Sequence, residues 1–77
     1  MVRETIKAIL TELHDNVDYD TCKTLIDDKI LDSFDIITLI SELSGQLDVA
    51  VPAEEIVEDN FNSLDGLTAM VERLLEE

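Results

Sequence analysis

Apolar residues return along this chain at helical spacings in three separate stretches. Val2, Ile6, Ile9 and Leu13 lie four, three and four positions apart, Ile36, Ile40, Leu43 and Leu47 repeat those intervals, and Leu64, Leu67, Val71 and Leu74 make a third stripe. At about 3.6 residues per turn each set lines one face of a helix, so the pattern predicts helices over residues 2–14, 33–47 and 63–76. Ser63 suits the N-cap of the last, where its oxygen can accept a first-turn N–H. Pro52 before Ala53, Glu54 and Glu55 predicts one more short helix over residues 53–58, with proline at its start and acids at its positive end. Residues 16–32 show no period. That is a long connection for a small domain, with Val17, Cys22, Leu25 and Ile30 as candidate anchors. There is no linker, repeat or low-complexity tract. The expected fold is all-α: one domain over residues 1–77, a small four-helix bundle of three main helices and one short helix with a long first loop.

Composition limits what such a bundle can do. The chain has 77 residues, too few for a deep substrate cleft, and its three aromatics, Tyr19, Phe34 and Phe61, leave the core to aliphatic side chains. Nineteen acidic residues against five basic ones give a net charge of −14, and no lysine or arginine falls between Lys29 and Arg73. Such a field repels nucleic acid phosphates and anionic lipid, and it complements basic protein surfaces. It also serves solubility. A single cysteine, Cys22, excludes an internal disulfide and fits a reducing compartment. No apolar run reaches membrane-spanning length, and the N-terminal segment, with Glu4 in a helical pattern, does not read as a signal peptide. The expected location is cytoplasmic, with no membrane insertion.

Candidate chemistry is sparse. His14 is the only histidine, so there is no ligand set for zinc and no base paired with a nucleophile. At a helix C-terminus it reads as a partner for the helix dipole. The acidic run DNVDYDTCKTLIDDK fails as a calcium loop: with Asp18 and Asp20 in the first and third positions, the fifth is Cys22, the turn glycine is Lys23 and the closing glutamate is Lys29. Gly45 and Gly66 stand far apart within helical patterns, so no glycine loop cradles a phosphate. No metal site and no catalytic residue are expected, and the chain is not read as an enzyme.

What remains is ILDSFDII at residues 30–37, a serine between two aspartates at the start of the second helix. Taking the Ile36, Ile40, Leu43 and Leu47 stripe as inward, Phe34 falls nearly opposite the core, Ile37 sits at the stripe's edge, and Asp35 and Glu42 flank its other side. Either Asp32 or Ser33 can cap this helix, and on that reading alone Phe34 is a single exposed apolar residue with no role.

The stretch ILDSFDIITLISEL resembles the attachment motif of acyl carrier proteins and peptidyl carrier domains, in which Asp-Ser and a large apolar residue open the second helix. The resemblance continues through the long first loop, LDVAVPAEEI and the final EDNFNSLDGLTAMVERL. It implies that Ser33, beside Asp32, accepts 4′-phosphopantetheine from coenzyme A through a phosphopantetheinyl transferase acting with magnesium. The arm then carries acyl or aminoacyl groups as thioesters between an activating ligase and acyltransferases or synthases with basic docking surfaces. Phe34 and Ile37 are the expected anchors for those partners, with Asp35, Glu42, Glu54 and Glu55 as outer contacts and the carrier itself a monomer. The form ILDSFD resembles stand-alone carriers, D-alanyl carrier proteins of teichoic acid modification among them, at least as much as the fatty acid carrier. One departure stands out: such carriers commonly read Gly-x-x-Asp-Ser, and here Lys29 holds the glycine position. The reading from a different class is a non-carrier acidic helical adaptor in which Ser33 serves only as a cap.

Overall fold

The computed structural model describes residues 2–76. Four α-helices follow in order: α1 (Val2–Leu13), α2 (Ser33–Leu47), α3 (Glu58–Phe61) and α4 (Leu64–Glu76), with a 3₁₀ turn at Ala53–Glu55. Helix α1 packs against both α2 and α4, and α3 packs against α4. The described residues form an all-helical bundle with an aliphatic core, closed by Tyr19 and Phe61.

Each main helix buries a wider arc than its stripe marks. Leu10 in α1, Leu39 in α2 and Met70 in α4 are fully buried although none belongs to the three stripes, whereas Ile36, Ile40 and Leu47 are only half-buried. The reason is that these helices meet neighbours on more than one side. A stripe of one residue per turn describes a helix on a single flat contact, and residues flanking it become central when a second element covers them.

The first loop is held at several points. Among the anchors expected, Leu25 is fully buried and Val17, Cys22 and Ile30 are half-buried. Tyr19 and Leu31, outside that set, are buried as well, at 2% and 3% exposure. The Tyr19 hydroxyl lies 2.6 Å from the His14 carbonyl and 2.9 Å from that of Leu10, so it satisfies the end of α1 while its ring fills the core. Arg3 reaches both Asp20 and Asp65, and Lys7 also pairs with Asp20, which ties the loop to α1 and α4 across the surface.

One predicted element is different. In place of a single helix over residues 53–58, the 3₁₀ turn ends at Glu55, Val57 is extended, and α3 begins at Glu58. The break lets the Asn60 amide donate to the Glu55 carbonyl at 2.7 Å and lets Phe61 enter the core at 1% exposure. A continuous helix would use that carbonyl internally. Helix α4 starts as the sequence implies, with Ser63 Oγ accepting the Gly66 N–H at 2.9 Å. No helix among the described residues is long and apolar enough to cross a membrane.

Candidate functional site

Ser33 is the first residue of α2 and is exposed. The cap of that helix is Asp32: its backbone is extended (φ −99°, ψ −177°), and its Oδ1 accepts the Asp35 N–H at 2.8 Å. Asp35 Oδ2 accepts the Asp32 N–H in return at 3.4 Å, which completes a capping box. Asp32 therefore discharges the capping role, and the Ser33 hydroxyl makes no hydrogen bond with any described residue. It projects from the positive end of a fifteen-residue helix, where free N–H groups and the helix dipole favour an anionic substituent. An exposed, unpartnered hydroxyl at that place fits esterification to a phosphate. No described side chain bonds to it as a general base.

The loop delivers this serine through a fixed turn. Leu31 N–H donates to the Leu25 carbonyl at 3.0 Å, and inside that turn Lys29 takes a left-handed conformation, φ 59°, with its N–H on the Ile26 carbonyl. The lysine that replaces glycine in the sequence pattern thus keeps the backbone shape for which glycine is suited. Asn62, between α3 and α4, clamps the same turn: its Oδ1 accepts the N–H groups of Ile26 and Asp27, and its carbonyl accepts that of Leu25.

The other candidate residues separate into two groups. Phe34 and Ile37 are 75% and 67% exposed and stand three residues apart on one side of α2, beside Ser33. Glu54 is also exposed, and half-buried Glu42 accepts a bond from Gln46 at 2.8 Å along the same helix. Asp35 and Glu55 do not face outward freely. The Asp35 side chain is 16% exposed, held in the capping box and lying 2.7 Å from His14 Nε2. Glu55 takes two hydrogen bonds from Arg73, at 2.8 and 3.0 Å, which hold its carboxyl below the ordinary carboxylate range. Both pairings join residues far apart in the chain, so spacing alone gave no sign of them.

Sequence reasoning also missed His14 as more than a dipole partner, and it missed Ile26, Ile56 and Val57. These last three, with Ile36, Glu58 and Phe61, line an apolar recess of about 140 Å³ between the first loop, α2 and α3. Only complementary charge hinted at the histidine pair, and nothing in the pattern marked the recess. Among the described residues no group of three or more histidine, cysteine or acidic side chains is placed to hold a metal ion.

Comparison with known proteins bears on this site. No family model matches the chain. Two relatives, each named a D-alanyl carrier protein and belonging to two strains of Lactococcus lactis subsp. cremoris, are 32% identical to it over 74 residues, covering 96% of this chain and 87% of their own length.

Proposed function

This chain belongs to the carrier protein family represented by those D-alanyl carrier proteins, and we propose that Ser33 is its attachment point for 4′-phosphopantetheine. The observation that carries the reading is the free Ser33 hydroxyl at the first position of α2 with Asp32 as the cap. Attached there, the arm would supply a terminal thiol that holds acyl or aminoacyl groups as thioesters. The chain's own part is to present Ser33 Oγ as the nucleophile, to offer the N-terminal end of α2 to the resulting phosphodiester, and to be recognised. It performs no catalysis itself, in keeping with the family.

Recognition falls to the exposed face around Ser33. Phe34 and Ile37 are the apolar anchors for a phosphopantetheinyl transferase, an activating ligase and acyltransferases or synthases, while Glu54, Glu42 and Asp32 attract their basic surfaces. Asp35 and Glu55 contribute to the field and to the shape of the site. Coenzyme A and adenylating ligases act in the cytoplasm, which is where this reading places the protein.

For the cargo we favour D-alanine or another small aminoacyl group, on the strength of both matched relatives. The apolar recess beside Ile36 supports a second reading, a short aliphatic acyl group that it would shelter.

Intact mass after incubation with coenzyme A, magnesium and a broad-specificity phosphopantetheinyl transferase tests the attachment. The wild-type protein is expected to gain one phosphopantetheine group and Ser33→Ala none. A folded wild-type protein that stays unmodified, beside an active control carrier, would favour the adaptor reading. Loading of the modified protein by a D-alanine-activating ligase, set against loading with short fatty acids, decides the cargo.

A further inference from the structure

We propose that His14 is a positioning residue for Ser33, acting through Asp35, an inference that rests on the carrier reading of the serine. His14 follows the last residue of α1 and is itself firmly held. Its N–H donates to the Leu10 carbonyl at 2.8 Å, its carbonyl accepts the Tyr19 hydroxyl at 2.6 Å, and Ile9 and Leu10 fix the end of α1 in the core. From this platform Nε2 lies 2.7 Å from Asp35 Oδ2. That same oxygen accepts the Asp32 N–H, while the Asp35 N–H donates to the Asp32 side chain. The two residues that bracket Ser33 are thus linked to each other and, through His14, to a different helix.

The Asp35 side chain is 16% exposed, so it keeps little water of its own. Without His14 the carboxylate loses its strongest partner and gains by turning toward solvent, which releases the Asp32 N–H and loosens the first turn of α2. His14 has no hydrogen bond to Ser33, and it is bonded to half-buried Asp35, not to the exposed Phe34 and Ile37. Its loss should therefore leave docking intact and disturb the presentation of the hydroxyl, a kind of misplacement to which group transfer is sensitive.

The test is phosphopantetheinylation of the full chain by a transferase at varied carrier concentration, for wild type, His14→Ala, His14→Gln and His14→Asn. The glutamine amide nitrogen reproduces the position of Nε2, and that of asparagine falls short. His14→Ala is expected to lower kcat about five- to tenfold with KM within about twofold of wild type, with His14→Gln restoring most of the rate and His14→Asn little. A raised KM at unchanged kcat, or equal rates for all four proteins, overturns the proposal. Amide hydrogen exchange at Asp35 and Ile36 supplies a readout that needs no transferase. It should quicken about tenfold in His14→Ala while the core amides of Leu39 and Leu43 keep their protection. Unchanged exchange at Asp35 overturns the positioning role even if Ser33 is never modified, whereas fast exchange in a protein that no transferase modifies counts against the carrier reading alone. Loss of core protection as well would mark His14 as merely structural.

Discussion

Asn62 Oδ1 lies 2.9 Å from the backbone nitrogen of Ile26, thirty-six positions earlier in the chain. One side chain thereby joins the α3–α4 corner to the turn that leads into Ser33. Because the same oxygen also takes the Asp27 N–H at 3.1 Å, Asn62→Ala leaves two backbone donors without their partner. Unfolding in urea should show a loss of about 1–2 kcal/mol, and Asn62→Asp should also destabilise, since it keeps the acceptor but turns the amide that donates to Asp27 Oδ2 at 3.2 Å into a carboxylate facing that carboxylate.

Asp32 caps α2, which leaves Ser33 to the proposed attachment. Asp32→Ala removes the oxygen that accepts the Asp35 N–H and should cost about 1 kcal/mol in thermal or urea unfolding. Ser33→Ala and Phe34→Ala, at exposed positions, should stay within about 0.5 kcal/mol of wild type. A large loss for Ser33→Ala would return the serine to a structural role, and one for Phe34→Ala would place that ring in the core.

Lys29 occupies a left-handed conformation that disfavours a side chain bearing Cβ. Lys29→Gly removes about 1–2 kcal/mol of conformational cost and adds about 0.5–1 kcal/mol of unfolded-state entropy, for a net gain of about 0.5–1 kcal/mol. The melting temperature should rise, and Lys29→Val should lower it.

The two glycines predict opposite outcomes for one substitution. A Cβ at Gly45 meets nothing within 4 Å, so Gly45→Ala in the last turn of α2 should stabilise by about 0.5 kcal/mol. At Gly66 a Cβ would stand 2.8 Å from the Asp59 carbonyl oxygen and 3.3 Å from that of Asn60. Gly66→Ala should therefore destabilise by about 1–3 kcal/mol despite the helix preference of alanine, because α3 and α4 must move apart.

Acid should dissolve two of the surface ties. Hydrogen bonds from Lys7 and Arg3 lower the Asp20 carboxyl, and those from Arg73 lower that of Glu55. A carboxyl depressed in the folded state stabilises at neutral pH, and that stability is lost as pH falls below the ordinary carboxylate range. Melting curves of Asp20→Asn and Glu55→Gln should lie below wild type at pH 7, and the gap should narrow progressively as pH falls below the ordinary carboxylate range. Tyr19 runs the other way: burial raises its hydroxyl, so its contribution is complete at neutral pH and fades as pH rises beyond the ordinary phenol range. The gap between wild type and Tyr19→Phe should close in strong alkali.

Three of the helices were legible in the pattern of apolar residues alone. Apolar residues at three- and four-residue spacing place α1, α2 and α4 to within a residue, since a helix must bury one face whatever its partners are, and Asp-Ser at the start of α2 marks the proposed attachment point through its resemblance to a carrier motif. Tertiary structure decided everything that joins distant residues. It chose Asp32 over Ser33 as the cap, paired His14 with Asp35 and Arg73 with Glu55, broke residues 53–58 so that Phe61 could reach the core, and set Lys29 in a left-handed turn under Asn62. Periodicity reports how a segment meets a surface, but which surface it meets, and which polar groups then find each other, follows only from the assembled bundle.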